Sequence, residues 1–156
     1  MQVCCFIWKG IRTPDVLTAQ YTQLKIRVAF IDAPELGQAF GYKAKQAMSA
    51  LVFGKDVELV PHTIDRYGRT VALVFVDGRD AGLELIKEGL AWAYEHYLPE
   101  ASPEIQTQYL ATERAARVSR LGLWADNDPV PPWEWRRLRS DYLRPDRERN
   151  QREPEA

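Results

Sequence analysis

Two carboxylates flank a proline in the stretch RVAFIDAPELGQAFG, Arg27 to Gly41, where Val28, Ala29, Phe30 and Ile31 run straight into Asp32-Ala33-Pro34-Glu35. An apolar run that only has to turn ends in Gly, Asn or Ser. Two acids around a rigid turn can instead hold a cation or handle a proton, or they can simply cap the helix that follows. A second candidate is TIDRYGRTVALVFVDG, in which Asp65-Arg66-Tyr67-Gly68-Arg69 forms a tight loop between two strands. Two arginines on so short a turn repel unless an anion or a carboxylate lies between them. Arginine's planar fork suits bidentate phosphate binding. The plainer alternative is a hairpin with a solvated basic tip. His62 and His96 do not form a transition-metal pattern, and the adjacent Cys4 and Cys5 make neither a disulfide framework nor a C-x-x-C site.

The elements that position these residues can be read from periodicity. Strand-like runs cover about Gln2 to Trp8, Asp15 to Tyr21, Leu24 to Ile31, Asp56 to Thr63, and Arg69 to the Asp77-Gly78 turn. Folding the second and third runs as a hairpin about Gln23 brings Asp15 beside Asp32. With Glu35 this makes an all-oxygen cluster, suited to Ca²⁺ or Mg²⁺ and not to zinc. Arg27 and Asp32 have opposite parity on a regular strand. They share a site only if the strand bulges or if Asp32 already lies in the turn.

GYKAKQAMSALVFGK repeats Ala44, Ala47, Met48, Leu51 and Val52 at helical spacing and stops at Gly54. GLELIKEGL is helical up to Gly89, and a third helix opens with Ser102 as N-cap and Pro103 behind it, closing near Gly122. Strands first and helices late predict an α+β domain, a partly open five-stranded OB-type barrel with three packed helices. The domain is expected to span residues 1–140, with Trp124, Trp133 and Trp135 anchoring its end and Pro131-Pro132 in polyproline form. A charged, structureless tail is expected over 141–156, and the arginine-dense stretch WRRLRSDYLRPDRERNQR is read as a solvated run, with a nonspecific phosphate contact as the alternative. A net charge of −1 excludes a global basic field, and no apolar run is long enough for a membrane span. MQVCCFIWKG has no basic start, long apolar stretch or small-residue cleavage site, so it does not read as a signal peptide; this leaves the compartment unknown, cytoplasmic only by default, and a monomer is expected.

Taken together, these pieces resemble the staphylococcal nuclease (thermonuclease) family. RVAFIDAPE is similar to its arginine-strand-Asp-x-Pro-Glu element, and DRYGR to its Asp-(Lys/Arg)-Tyr-Gly-Arg element. GLAWAYEHY followed by GLWADNDPVPPWEWRR is similar to the ending of the bacterial members. Four motifs in order, over about Asp15 to Arg137, are far more specific than any one of them. The resemblance implies an OB-fold barrel with three helices that hydrolyses phosphodiester bonds in DNA and RNA with Ca²⁺. It implies Asp15, Asp32 and the Ala33 carbonyl as metal ligands, Glu35 as general base or water-ordering acid, and Arg27 and Arg69 as phosphate clamps. Tyr67 and Tyr94 would line the nucleotide site. Relatives carry Asp-Gly-Asp-Thr where this chain has Thr13-Pro14-Asp15-Val16, which implies weaker metal affinity. A catalytically weak or inactive OB-type nucleic-acid-binding module is the alternative. Retention of Arg27, Asp15, Asp32, Glu35 and Arg69 favours the enzyme.

Overall fold

The computed structural model describes residues 5–10 and 21–143, with side chains described from Leu24 onward except at Asp141 and Leu143. Asp15 and the strand-like run that it opens lie outside the described residues up to Gln20, as does the tail beyond Leu143. Strand β1 (Cys5–Gly10) pairs antiparallel with β2 (Tyr21–Val28). Gln23 lies inside β2 opposite Trp8, so the hairpin expected about Gln23 is not formed there.

The main sheet continues from β2 to β5 (Thr70–Val76) in parallel, and from β5 to β4 (Glu58–Ile64) and β6 (Arg79–Asp80) in antiparallel. A second, two-stranded sheet joins β3 (Ile31–Asp32) to β7 (Trp92–Ala93). Among the described residues no pairing closes β1 onto β4 or β6, so a closed barrel is not seen. The α+β class holds.

Parity divides the central strands. Ile26, Val28, Ala72 and Val74 are buried in the core, while Arg27 pairs opposite Val71 on the other face. Helix α1 (Gly41–Val52) lays Ala44 and Met48 into that core and ends before Gly54, whose φ of 70° continues the chain past the helix. Helix α2 (Ala81–Lys87) packs on β5, α1 and α3. It is N-capped by Asp80, which accepts from the Gly82 N–H at 2.8 Å and the Leu83 N–H at 3.2 Å. The other carboxylate oxygen of Asp80 accepts the hydroxyl of Tyr109, fully buried in α3 (Pro103–Val118), at 2.6 Å. That bond ties the two helices together. Ser102 Oγ accepts the Ile105 N–H at 3.4 Å, with Pro103 as the first helical residue, as expected.

The end of the chain departs from expectation. Pro132 opens a fourth helix, α4 (Pro132–Leu143), in place of an irregular segment. Proline's fixed φ is already helical and its missing N–H is one that a helix start leaves unused. The described residues therefore hold four α-helices, not three.

Candidate active site

The acid turn follows from one backbone event. Phe30 takes φ 59° between β2 and β3, a left-handed conformation that resets the alternation of side chains. Arg27 and Asp32 can then face the same space although their strand parity differs. The break comes at Phe30, ahead of Pro34. Asp32 pairs with Trp92 across the small sheet and is 5% exposed. The Tyr94 N–H donates to the Phe30 carbonyl at 2.8 Å, which brings the Tyr94 ring beside the acids.

After Pro34 the turn closes on itself. The Glu35 N–H donates to Gln38 Oε1 and the Gln38 N–H to the Glu35 carbonyl, both at 2.8 Å. Gly41 passes so close that a Cβ there would lie 1.9 Å from the Glu35 carbonyl oxygen. Helix α1 starts at Gly41 with no side-chain cap, so neither acid serves as its N-cap.

The loop between β4 and β5 is built around Asp65. Its Oδ1 accepts the backbone N–H of Tyr67 at 2.9 Å and of Arg69 at 3.0 Å, and its Oδ2 accepts Arg69 Nε at 2.6 Å. Gly68 supplies the φ of 74° that the turn requires. Arg69 is only 12% exposed and is not a solvated hairpin charge. Its guanidinium also lies 5.3 Å from the Tyr67 ring centre. Burial works against ionisation of Asp65, but the hydrogen bonds and charge of Arg69, with the Tyr67 N–H, hold its carboxyl below the usual range.

Arg27, Asp32, Glu35, Tyr67, Arg69 and Tyr94 all line one open groove of about 970 Å³. Ala33, buried next to Asp32, is not among the lining residues. Arg27 lies 5.8 Å from the Tyr97 ring. Burial, then the charge of Asp32, raises the Tyr94 hydroxyl above its ordinary value, which keeps it neutral. His62 stands where the β4–β5 register shifts next to Pro61. It is an exposed strand residue that bonds Glu100 at 2.8 Å and meets the Phe30 ring edge-on at 5.0 Å.

The solvated run expected of WRRLRSDYLRPDRERNQR does not hold at Arg136, for which no site role is expected from sequence. From α4, its Nη2 donates to Asp32 Oδ2 at 2.6 Å and its Nη1 to Glu35 Oε1 at 2.9 Å. Burial alone would weaken its hold on a proton, but the two carboxylates push that hold above the ordinary arginine range. Burial likewise opposes the charge of Glu35, and the donors and positive charges around it, Arg136 among them, bring its carboxyl below the usual value. Pro132 at a helix start with Glu134 in the first turn was the available signal for α4. Nothing local points from residue 136 to residue 32.

The donor chemistry of this corner fits a hard cation. Asp32 is buried, Glu35 and the Ala33 carbonyl flank it, and the two acids already hold one positive group between them. Among the described residues no group of three acids, histidines or cysteines comes together, and Asp15 lies outside them.

Residues 25–126, about two thirds of the chain, match the family described as staphylococcal nuclease homologue. The chain is 43% identical over 125 residues to an uncharacterized endonuclease of Haemophilus influenzae, covering 80% of this chain and 67% of that protein. It is 39% identical over 134 residues to the micrococcal nuclease of Shigella flexneri, covering 80% and 74%. A probable staphylococcal-like nuclease of Oryza sativa is 38% identical over 126 residues, 81% of this chain and 35% of that protein. With a family match over most of its length and relatives this similar, the chain belongs to the staphylococcal nuclease family.

Proposed function

We propose that the chain is a Ca²⁺-dependent nuclease of OB-type fold that hydrolyses phosphodiester bonds in DNA, RNA or both with little sequence preference. The observation that carries this reading is the meeting of Arg27, Arg69, Asp32 and Glu35 on one groove. A phosphodiester needs positive groups on its non-bridging oxygens and a base near its phosphorus, and this groove offers both. The relatives' names, endonuclease and micrococcal nuclease, support the same chemistry.

In this reading Arg27 and Arg69 grip the phosphate and stabilise the charge of the pentacovalent state, and one such donor contributes on the order of 3 kcal/mol. Asp65 positions Arg69 for that task. Glu35, held ionised by its surroundings, orders the attacking water and takes its proton. Tyr67 and Tyr94 present ring faces and hydroxyls to the nucleotide. Asp32, the Ala33 carbonyl and Asp15 would hold Ca²⁺, which when bound supplies charge neutralisation for the phosphate.

Digestion of single-stranded DNA with added Ca²⁺, and with excess chelator, tests the proposal. Cleavage should require Ca²⁺, run poorly with Mg²⁺, and fall by orders of magnitude in Glu35→Gln with DNA binding retained. Full cleavage under chelator, or a wild-type rate in Glu35→Gln, contradicts it.

A further inference from the structure

Arg136 lies past residues 25–126, the span of the family match, within the WEWRR stretch that resembles the ending of the bacterial members, on a helix whose start is firmly seated. Trp133 stacks on Tyr94 at 5.3 Å with the planes 22° apart, and meets Trp92 edge-on at 6.2 Å. The Val130 carbonyl, just before α4, accepts Gln38 Nε2 at 3.0 Å. One turn after Trp133, on the same helix face, Arg136 reaches both acids while remaining 43% exposed. These contacts anchor its backbone, and its side chain is partly exposed along the groove that it lines.

A guanidinium across Asp32 and Glu35 uses the same oxygen lone pairs that a divalent cation would take. Asp32 is buried, and a buried carboxylate without a counter-charge is strongly destabilising. Arginine does not give up its proton in proteins, so it cannot yield the site by neutralising and must yield it by moving.

We propose that Arg136 is a tethered counter-ion that competes with the metal for Asp32 and Glu35, so that cation loading requires the guanidinium to leave the acids. This rests on the reading of Asp32 as a Ca²⁺ ligand, with Glu35 beside it as the base. It makes Ca²⁺ affinity a difference between two bound states instead of a property of the acids alone. The turn after β3 supplies the acids, and α4 supplies the competitor that sets how much Ca²⁺ they need.

The test is calorimetric titration of Ca²⁺ into the full chain without substrate, for wild type, Arg136→Gln and Arg136→Lys, with thermal melts in and out of Ca²⁺. Arg136→Gln should bind Ca²⁺ at least about tenfold tighter, equivalent to about 1.4 kcal/mol. Arg136→Lys, which keeps the charge but loses the two-pronged fit, should fall between. Without Ca²⁺ the Gln variant should melt lower than wild type, and Ca²⁺ should raise its melting temperature by more. A folded Gln or Lys variant with wild-type or weaker Ca²⁺ affinity overturns the inference and leaves the Ca²⁺ reading standing. Absence of Ca²⁺ binding in all three proteins overturns both.

Discussion

Replacing Asp65 by asparagine isolates the grip on Arg69 from the turn that carries it. Asparagine keeps a carbonyl oxygen for the N–H groups of Tyr67 and Arg69, which now reach Oδ1 at 2.9 and 3.0 Å. It puts an NH₂ group, or a neutral oxygen, where Oδ2 accepts Arg69 Nε at 2.6 Å. Exposed ion pairs contribute about 0.2–1 kcal/mol and breaking a buried pair costs about 3–5 kcal/mol. Both partners here are 12% exposed, which places the loss between those limits, at about 2 kcal/mol. For a chain of this size that lowers the melting temperature by about 4–8 °C. Activity should fall further than stability suggests. A guanidinium released from its carboxylate still carries charge but is no longer aimed, so about 10- to 100-fold in kcat/KM should go, against on the order of 3 kcal/mol for losing the donor outright.

The decisive measurement is a double-mutant cycle with Arg69→Ala, using single-stranded DNA digestion at saturating Ca²⁺. If Asp65 acts through Arg69, Asp65→Asn should cost nothing further in the Arg69→Ala background. An equal loss in both backgrounds would refute the reasoning. The pH dependence supplies a second check. The Asp65 carboxyl is held below its ordinary value in the folded chain, so the contribution of the pair is complete above the unfolded value of about 3.9 and is lost as pH falls through the folded one. The gap in melting temperature between wild type and Asp65→Asn should therefore be full at neutral pH and close under acid.

Gly41→Ala should lower nuclease activity at least about tenfold with α1 retained by circular dichroism, because a Cβ there meets the Glu35 carbonyl oxygen at 1.9 Å and must displace the acid turn; a wild-type rate would show that the turn absorbs the clash. Glu113 is 4% exposed, and burial raises its carboxyl above the usual range despite the Arg117 guanidinium at 3.0 Å. The folded chain thus holds that proton more tightly than the unfolded chain, and its unfavourable contribution grows as pH rises from about 4.3 through the folded value. Melting curves of Glu113→Gln should accordingly gain on wild type between about pH 4 and neutrality; a variant that instead loses ground would mean that Arg117 holds the carboxylate ionised.

The parts of this architecture legible in the sequence are those fixed by neighbours a few residues apart. Gly54 ends α1, Ser102 and Pro103 start α3, and Gly68 makes the arginine loop, each through chemistry local to it. The acid turn was legible as a place for chemistry but not as a geometry. The residue that turns the chain is Phe30, and a phenylalanine at φ 59° carries no mark of it in sequence. The hairpin placed at Gln23 failed because a strand of eight residues, Tyr21–Val28, runs through that position. Reading Pro131-Pro132 as polyproline hid α4, since the same pair equally opens a helix. The contact that changes the chemistry most, Arg136 on Asp32, spans 104 residues and exists only once the small sheet and α4 have met.

That contact also bears on how the groove meets a polyanion. Its lining holds Arg27, Arg66, Arg69 and Arg136 against Asp32, Glu35, Asp65 and Glu100, so among the described residues the two signs balance. Asp65 engages Arg69, and the two acids engage Arg136, so much of the positive charge is already spoken for. A phosphodiester arriving at this surface finds Arg27 stacked near Tyr97 and little net field to draw it in. On the proposed reading, a divalent cation on the acids would change this twice over, adding its own charge and freeing a guanidinium in the same groove. Substrate attraction and metal loading would then be one event, which a groove with permanently exposed arginines would not require.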